Sequence, residues 1–292
     1  MESAKASSSS LARDSRFGKF IKKAARSPQL VTGFAIVLFF ALVAIFAPLL
    51  APYDPLEISI ANRFQGFSSD YLLGTDNLGR CVLSRLIYGA RVSLMVGITA
   101  TAMGGSVGII IGIVSGYYGG KVDSLLMRFM DMMLAFPGLL LALGIVAVLG
   151  RSTFNVIIAI AAFAIPSFAR IVRGSTLSVA KLEYIDAIRA IGAGDLRIIF
   201  LHILPNILSP IIVQASLNVG TAITGAAGLA FLGVGTPPPT PDWGIMLNQG
   251  RESLHLYPRL VILPGLVIFT LVIGINLFGN GLRDVMQPKK KA

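Results

Sequence analysis

Charge is what this sequence has least of. Asp, Glu, Lys and Arg make up 13% of its 292 residues, where a soluble chain carries roughly 25%. Hydrophobic residues make up 54%, and the mean hydropathy is +0.77. That balance excludes a water-soluble multidomain enzyme and leaves room, at about 20 residues per crossing, for about five to seven membrane-spanning helices. Cysteine is nearly absent too: Cys81 stands alone, which excludes an internal disulfide and a cysteine-cluster metal site. The two histidines, His202 and His255, fall on opposite sides of the expected membrane, and no H-E-x-x-H pair exists to hold zinc. No G-x-S-x-G elbow offers a nucleophile. The nearest approach to a phosphate-cradling loop, Gly119-Gly120-Lys121, has Ser115 in place of the leading glycine and Val122 in place of the hydroxyl residue. The chain is therefore expected to have no catalytic residue, cofactor or metal of its own, and not to bind ATP through such a loop.

What is there is a succession of uncharged runs. Ser27 to Tyr53 reads as a first span, ended by Pro48 and Pro52. Val92 to Gly120 reads as a second, in which Gly104, Gly108, Gly112 and Gly116 fall on one helical face and invite close approach of another helix. Further spans are expected over 125–149, 154–168, 207–232 and 260–282, giving six crossings with both ends on one side. The first run is long enough to span and lacks a small-residue cleavage pattern, so it reads as a retained helix rather than a signal peptide.

The basic residues orient the bundle. With the N-terminus cytoplasmic, 18 of the 25 Lys and Arg residues fall on the cytoplasmic side, and only Arg63, Arg80, Arg85, Arg91, Arg151, Arg251 and Arg259 lie outside. That is the sense of the positive-inside rule. It also explains a net charge of +11 without nucleic acid, for which no aromatic interleaving or presenting fold is visible. The organisation expected is a basic segment over 1–26, a first helix and outer loop over 27–91, a core of five helices over 92–282, and a basic tail over 283–292. Lys289 to Lys291 and the first segment read as anchors to anionic lipid, and Ser7 to Ser10 as disordered.

The connector over 178–206 is unlike an ordinary loop. Tyr184, Ile188 and Ile191 form an apolar stripe at helical spacing, with Glu183, Asp186 and Arg189 elsewhere on the helix. Gly192 and Gly194 break it, Asp195 suits a second helix start, and Pro205 follows. Two short helices with a glycine joint either offer an apolar knob to a soluble partner or lie as a hairpin on lipid.

That connector resembles a known one. Asp186-Ala187-Ile188, then Gly192, then His202-Ile203-Leu204-Pro205 is similar to the EAA loop of permease subunits of binding-protein-dependent ABC importers. Gly74-Thr-Asp-Asn-Leu-Gly-Arg80-Cys-Val-Leu-Ser-Arg85 through Arg91 resembles the signature of C-type permeases for dipeptides, oligopeptides and nickel. The span ending at Pro55, Phe231-Leu-Gly-Val-Gly with Asp242-Trp-Gly244, and the ending Asn276 to Asp284 resemble the same group, over roughly residues 27–288. The resemblance implies an all-α membrane protein of the type I ABC importer fold in the bacterial inner membrane. It would pair with a homologous permease above two ATPase subunits that use ATP and Mg, and an extracytoplasmic solute-binding protein would deliver small peptides. The residues it would use to couple to the ATPases are Glu183, Tyr184, Asp186, Ala187, Ile188, Gly192 and Pro205. The same architecture could import a nickel chelate, glutathione or an opine.

Cys81 stands where the resembled signature has Asp, and reads either as an inert thiol or as a redox group. Gln214, Asn218, Thr221 and Thr224 share one face of the fifth span, where polar side chains either bond a neighbouring helix or line a wet pathway. Asn276 and Asn280 repeat the spacing in the sixth. Asp131 in the third span is expected to pair with a base such as Arg128; a lone acid does not make the relay of a proton-coupled secondary transporter, and no internal repeat is visible.

Overall fold

The computed structural model describes Gly18 and residues 22–286, so the Ser7 to Ser10 run and the Lys289 to Lys291 tail lie outside the described residues. The helices are α1 (Pro28–Ile45), α2 (Ala47–Leu50), α3 (Val82–Tyr118), α4 (Gly120–Ala135), α5 (Gly138–Leu149), α6 (Thr153–Ala180), α7 (Glu183–Ala190), α8 (Asp195–Ile198), α9 (Leu204–Phe231), α10 (Trp243–Arg251) and α11 (Arg259–Met286). Five helical runs are long and apolar enough to cross a membrane, and the bent pair α4 and α5 makes a sixth. No strand forms among the described residues beyond the single bridge between Thr75 and Cys81.

Helix ends differ from the expected spans wherever an end was placed at a charge. The second span starts at Val82 rather than Val92: Arg91, which bounded the uncharged run, lies exposed on the helix, and Arg85 is neutralised inside the fold, so neither stops it. The fourth continues past Phe168 to Ala180, carrying Arg170 and Arg173 to ion pairs with α4. A larger correction concerns the third span. It is not one helix over 125–149 but two, bent by 90° at Phe136-Pro137. Pro137 has no N–H and drives Phe136 into extended backbone, with φ −87° and ψ 137°, so no helix can run through.

The bundle is organised by the glycine stripe. A Cβ at Gly104, Gly108, Gly112 or Gly116 would stand 2.3, 2.7, 2.7 and 2.9 Å from the carbonyl oxygens of Ala161, Ile165, Ala169 and Arg173. Both series step by four in the same direction, so α3 and α6 run parallel, backbone against backbone. Helix α1 packs on α11, and Lys23 Nζ donates to the carbonyls of Asp284 and Val285 at 3.1 and 3.0 Å. Both described ends of the chain therefore lie at one end of the bundle. The 178–206 connector lies at that end as well, because it leads into α9, which packs antiparallel to α11 with Leu217 at Gly279 and Gly220 at Ile275.

Candidate coupling loop and translocation face

The connector is almost entirely helical, since α6 persists to Ala180 and residues 195–231 run as one helical stretch. Helix α7 ends in a glycine cap: Gly192 N–H donates to the Arg189 carbonyl at 3.0 Å and Ala193 N–H to the Ile188 carbonyl at 3.2 Å. Gly192 has φ +86°, a left-handed conformation that glycine adopts without cost. The Cβ it lacks would meet nothing within 4 Å, so conformation and not crowding selects glycine. Asp195 opens α8, and Ile199–Ile203 follow as a π-helical turn just before Pro205. A proline cannot donate to the carbonyl four residues back, and the wider turn accommodates that loss.

Burial divides these residues differently from the expected stripe. Ile185, absent from that stripe, is fully buried with Ile198, Ile199, Ile203 and Ile207 against Ile113 of α3 and Val172 of α6. Ile188 and Ala193 pack onto the same cluster. Tyr184 and Ile191 point outward instead: Ile191 is 85% exposed and Leu196 70% exposed. Glu183, Asp186 and Ala187 are exposed beside them, with Asp186 paired to Arg189 at 3.2 Å. The Tyr184 hydroxyl accepts from Asn206 Nδ2 at 3.2 Å, joining α7 to the start of α9. The result is an outward face of apolar tips and acids mounted on a buried isoleucine base.

The polar face of the fifth span also divides. Asn218 is buried and donates to Thr101 Oγ1 of α3 at 3.2 Å, so it bonds a neighbouring helix. Gln214 is half-buried below it. Thr221 and Thr224 are exposed on a concave surface of about 420 Å³, lined also by Phe163, Gly220, Leu229 and Asn276, with no charged side chain. Thr224 Oγ1 bonds back to the Gly220 carbonyl at 2.9 Å. Asp131 pairs with Arg170 across the helix gap at 2.5 Å, and not with Arg128 of its own helix.

At the opposite end, the segment from Gly74 folds around one buried carboxylate. Asp76 accepts from Arg80 Nε at 2.8 Å, from Arg85, and from the backbone N–H groups of Leu78 and Arg80. Gln249 of α10 accepts from both guanidinium groups at 3.1 Å. Trp243 is buried and donates to the Leu86 carbonyl at 2.9 Å, while Asp242 caps α10 by accepting from Ile245 N–H at 3.1 Å. Burial pushes the Asp242 carboxyl above the ordinary carboxylate range, against the pull of those backbone donors and of Arg85. Cys81 is buried at the start of α3, which removes the exposure a redox thiol needs.

Sequence reasoning missed Ile185, Tyr117 and the Asp123–Arg173 pair, whose Nε–Oδ1 distance is 2.5 Å. Only Ile185 carried a signal, as the position three before Ile188. A family model for the "binding-protein-dependent transport system inner membrane component" matches residues 108–292, and one for the "N-terminal TM domain of oligopeptide transport permease C" matches residues 15–66. The dipeptide transport system permease protein DppC of Alkalihalophilus pseudofirmus is 46% identical over 93% of this chain and 89% of its own length. The glutathione transport system permease protein GsiD of Escherichia coli O157:H7 is 45% identical over 94% of this chain and 90% of its own. In fold, an inward-facing structure of the MetNI methionine ABC transporter matches with TM-score 0.56 at 19% identity, over 70% of this chain and 97% of that one. The chain thus belongs to the inner-membrane components of binding-protein-dependent transport systems, as a multi-pass ABC importer permease of the C-type, dipeptide and glutathione group.

Proposed function

We propose that this permease imports small peptides by forming, with a homologous permease, a path through the membrane that two ATPase subunits drive from the cytoplasm. An extracytoplasmic solute-binding protein supplies the peptide. The end of the bundle that carries the connector and both described ends of the chain faces the cytoplasm, in keeping with the excess of basic residues there. The ATPases engage the connector through Glu183, Tyr184, Asp186, Ala187 and the tip at Ile191, with Gly192 and Pro205 shaping the two halves. One observation carries this reading: Ile191 and Leu196 are exposed beside Glu183 and Asp186 while Ile185, Ile198 and Ile203 are buried beneath them. A face so anchored passes a push into the bundle beneath it. The push reaches the pathway because residues 195–231 form one helical stretch, about 55 Å long at 1.5 Å per residue, that ends beyond Thr221 and Thr224. Those threonines and Asn276 supply uncharged hydrogen-bonding groups suited to peptide bonds of any sequence, and selection then belongs to the binding protein.

The test is Ile191→Asp. Uptake of radiolabelled dipeptide is expected to fall at least tenfold with membrane abundance unchanged. Near-normal uptake would favour the other reading of the exposed tips, a hairpin resting on lipid, and would end the coupling proposal.

A further inference from the structure

The buried isoleucines hold both halves of the connector on α3 and α6 through apolar contact alone, with no directional bond. One side chain of α3 adds polar contact with both. Tyr117, in the last turn of α3, donates its hydroxyl to Asp195 Oδ1 at 2.8 Å. Its ring lies under the Arg189 guanidinium, 5.7 Å from ring centroid to Cζ, a cation–π arrangement. Arg189 also holds Asp186 on the exposed face of α7. So α7 through Arg189 and α8 through Asp195 converge on one residue of the helix that, through its glycine stripe, is locked backbone to backbone with α6.

We propose that Tyr117 is a positioning residue that latches both halves of the connector to α3, so that displacement of the exposed tip is delivered to the α3–α6 pair as well as to α9. This rests on the coupling role proposed above. Without the latch, part of a push on the tip is lost as rotation of α7 about its glycine joint, and ATP is spent with less transport. Apolar anchoring by Ile185 and Ile198 is untouched, so the bundle still assembles.

The experiment uses proteoliposomes of the whole transporter, purified through this chain, with radiolabelled glycyl-leucine and glutathione as probes. For Tyr117→Phe, which keeps the ring and removes the hydroxyl, uptake per ATP hydrolysed is expected to fall at least threefold. Tyr117→Leu should fall further. Asp195→Ala should match Tyr117→Phe, and Asp195→Asn, which still accepts from the hydroxyl, should restore the wild-type ratio. A readout without transported probe is the reactivity of Thr221→Cys toward maleimide, which ATP with vanadate should change in wild type and change less in Tyr117→Phe. A merely structural role would lower complex yield, uptake and hydrolysis together and leave the ratio constant, and that outcome overturns the latch. If Ile191→Asp uncouples the transporter but the Tyr117 variants do not, only the latch is wrong. If Ile191→Asp also keeps near-normal uptake, the coupling role itself has failed.

Discussion

At the scale of single residues, conformation and burial make separable demands. Gly192 is required for its φ of +86° and not for space. A residue with a Cβ there costs about 1–2 kcal/mol, less for asparagine, which tolerates the left-handed region. Gly192→Asn should therefore keep most uptake, whereas Gly192→Asp adds charge at the exposed tip and should abolish or strongly reduce it. Immunoblots of membranes should show both at wild-type abundance. Asp76 makes the opposite demand. It is the carboxylate that compensates Arg80 and Arg85, both nearly inaccessible. Asp76→Ala leaves two buried cations facing each other and should destabilise that end by about 3–5 kcal/mol, read as loss of the full-length chain from membranes. The spacing of residues 74–91 was legible as a signature, but its work as a folded clasp was not. That role depends on Gln249 and Trp243, far away in sequence, which no local pattern connects to it.

Among elements, what the sequence made legible were the apolar runs and the glycine stripe, and what it hid were helix ends. The stripe at Gly104, Gly108, Gly112 and Gly116 predicts a close partner, and α6 is that partner. Because Gly108 already stands against the Phe168 side chain and the Ile165 carbonyl, Gly108→Leu cannot be absorbed by a rotamer change. It should separate α3 from α6, and at the typical cost of about 1–3 kcal/mol or more for overpacking it should lower the melting temperature of the detergent-purified complex. Gly144→Leu, where a Cβ meets nothing within 4 Å, should not. Helix ends were hidden because charges stop a hydropathy run but not a helix. Arg85, Arg170 and Arg173 all sit inside helices once a carboxylate on another element neutralises them. The break at Pro137 was written in the sequence, yet the apolar run on both sides of it masked the 90° bend. In the connector, the two short helices and Gly192 were readable from spacing. The division into Ile185 inward and Ile191 outward was not, because both lie in an apolar-rich segment and only the position of α3 and α6 decides which is covered.

For the whole molecule, the orientation of the bundle is open to direct measurement. With the connector end in the cytoplasm, a thiol introduced as Lys291→Cys should be protected from an impermeant maleimide in intact cells and labelled after permeabilisation. Native Cys81 is 2% exposed and should stay silent in both, so the chain needs no cysteine-free background. Labelling of the intact cells would invert the assignment and place the connector outside, where no ATPase could reach it.

The contact of Lys23 with the carbonyls of Asp284 and Val285 has a topological consequence. A chain whose described ends adjoin at one end of its bundle has no privileged first helix; the order of crossings is a cycle cut at one point. A bridge of a few residues from Met286 back to Lys22 would close that cycle, and the short turn at Gly150-Arg151-Ser152 would serve as a new opening at the opposite end. Such a permuted chain keeps every helix pair described here while moving its free ends to the other face of the membrane. A domain joined at Lys22 or at Met286, conversely, starts from nearly the same point.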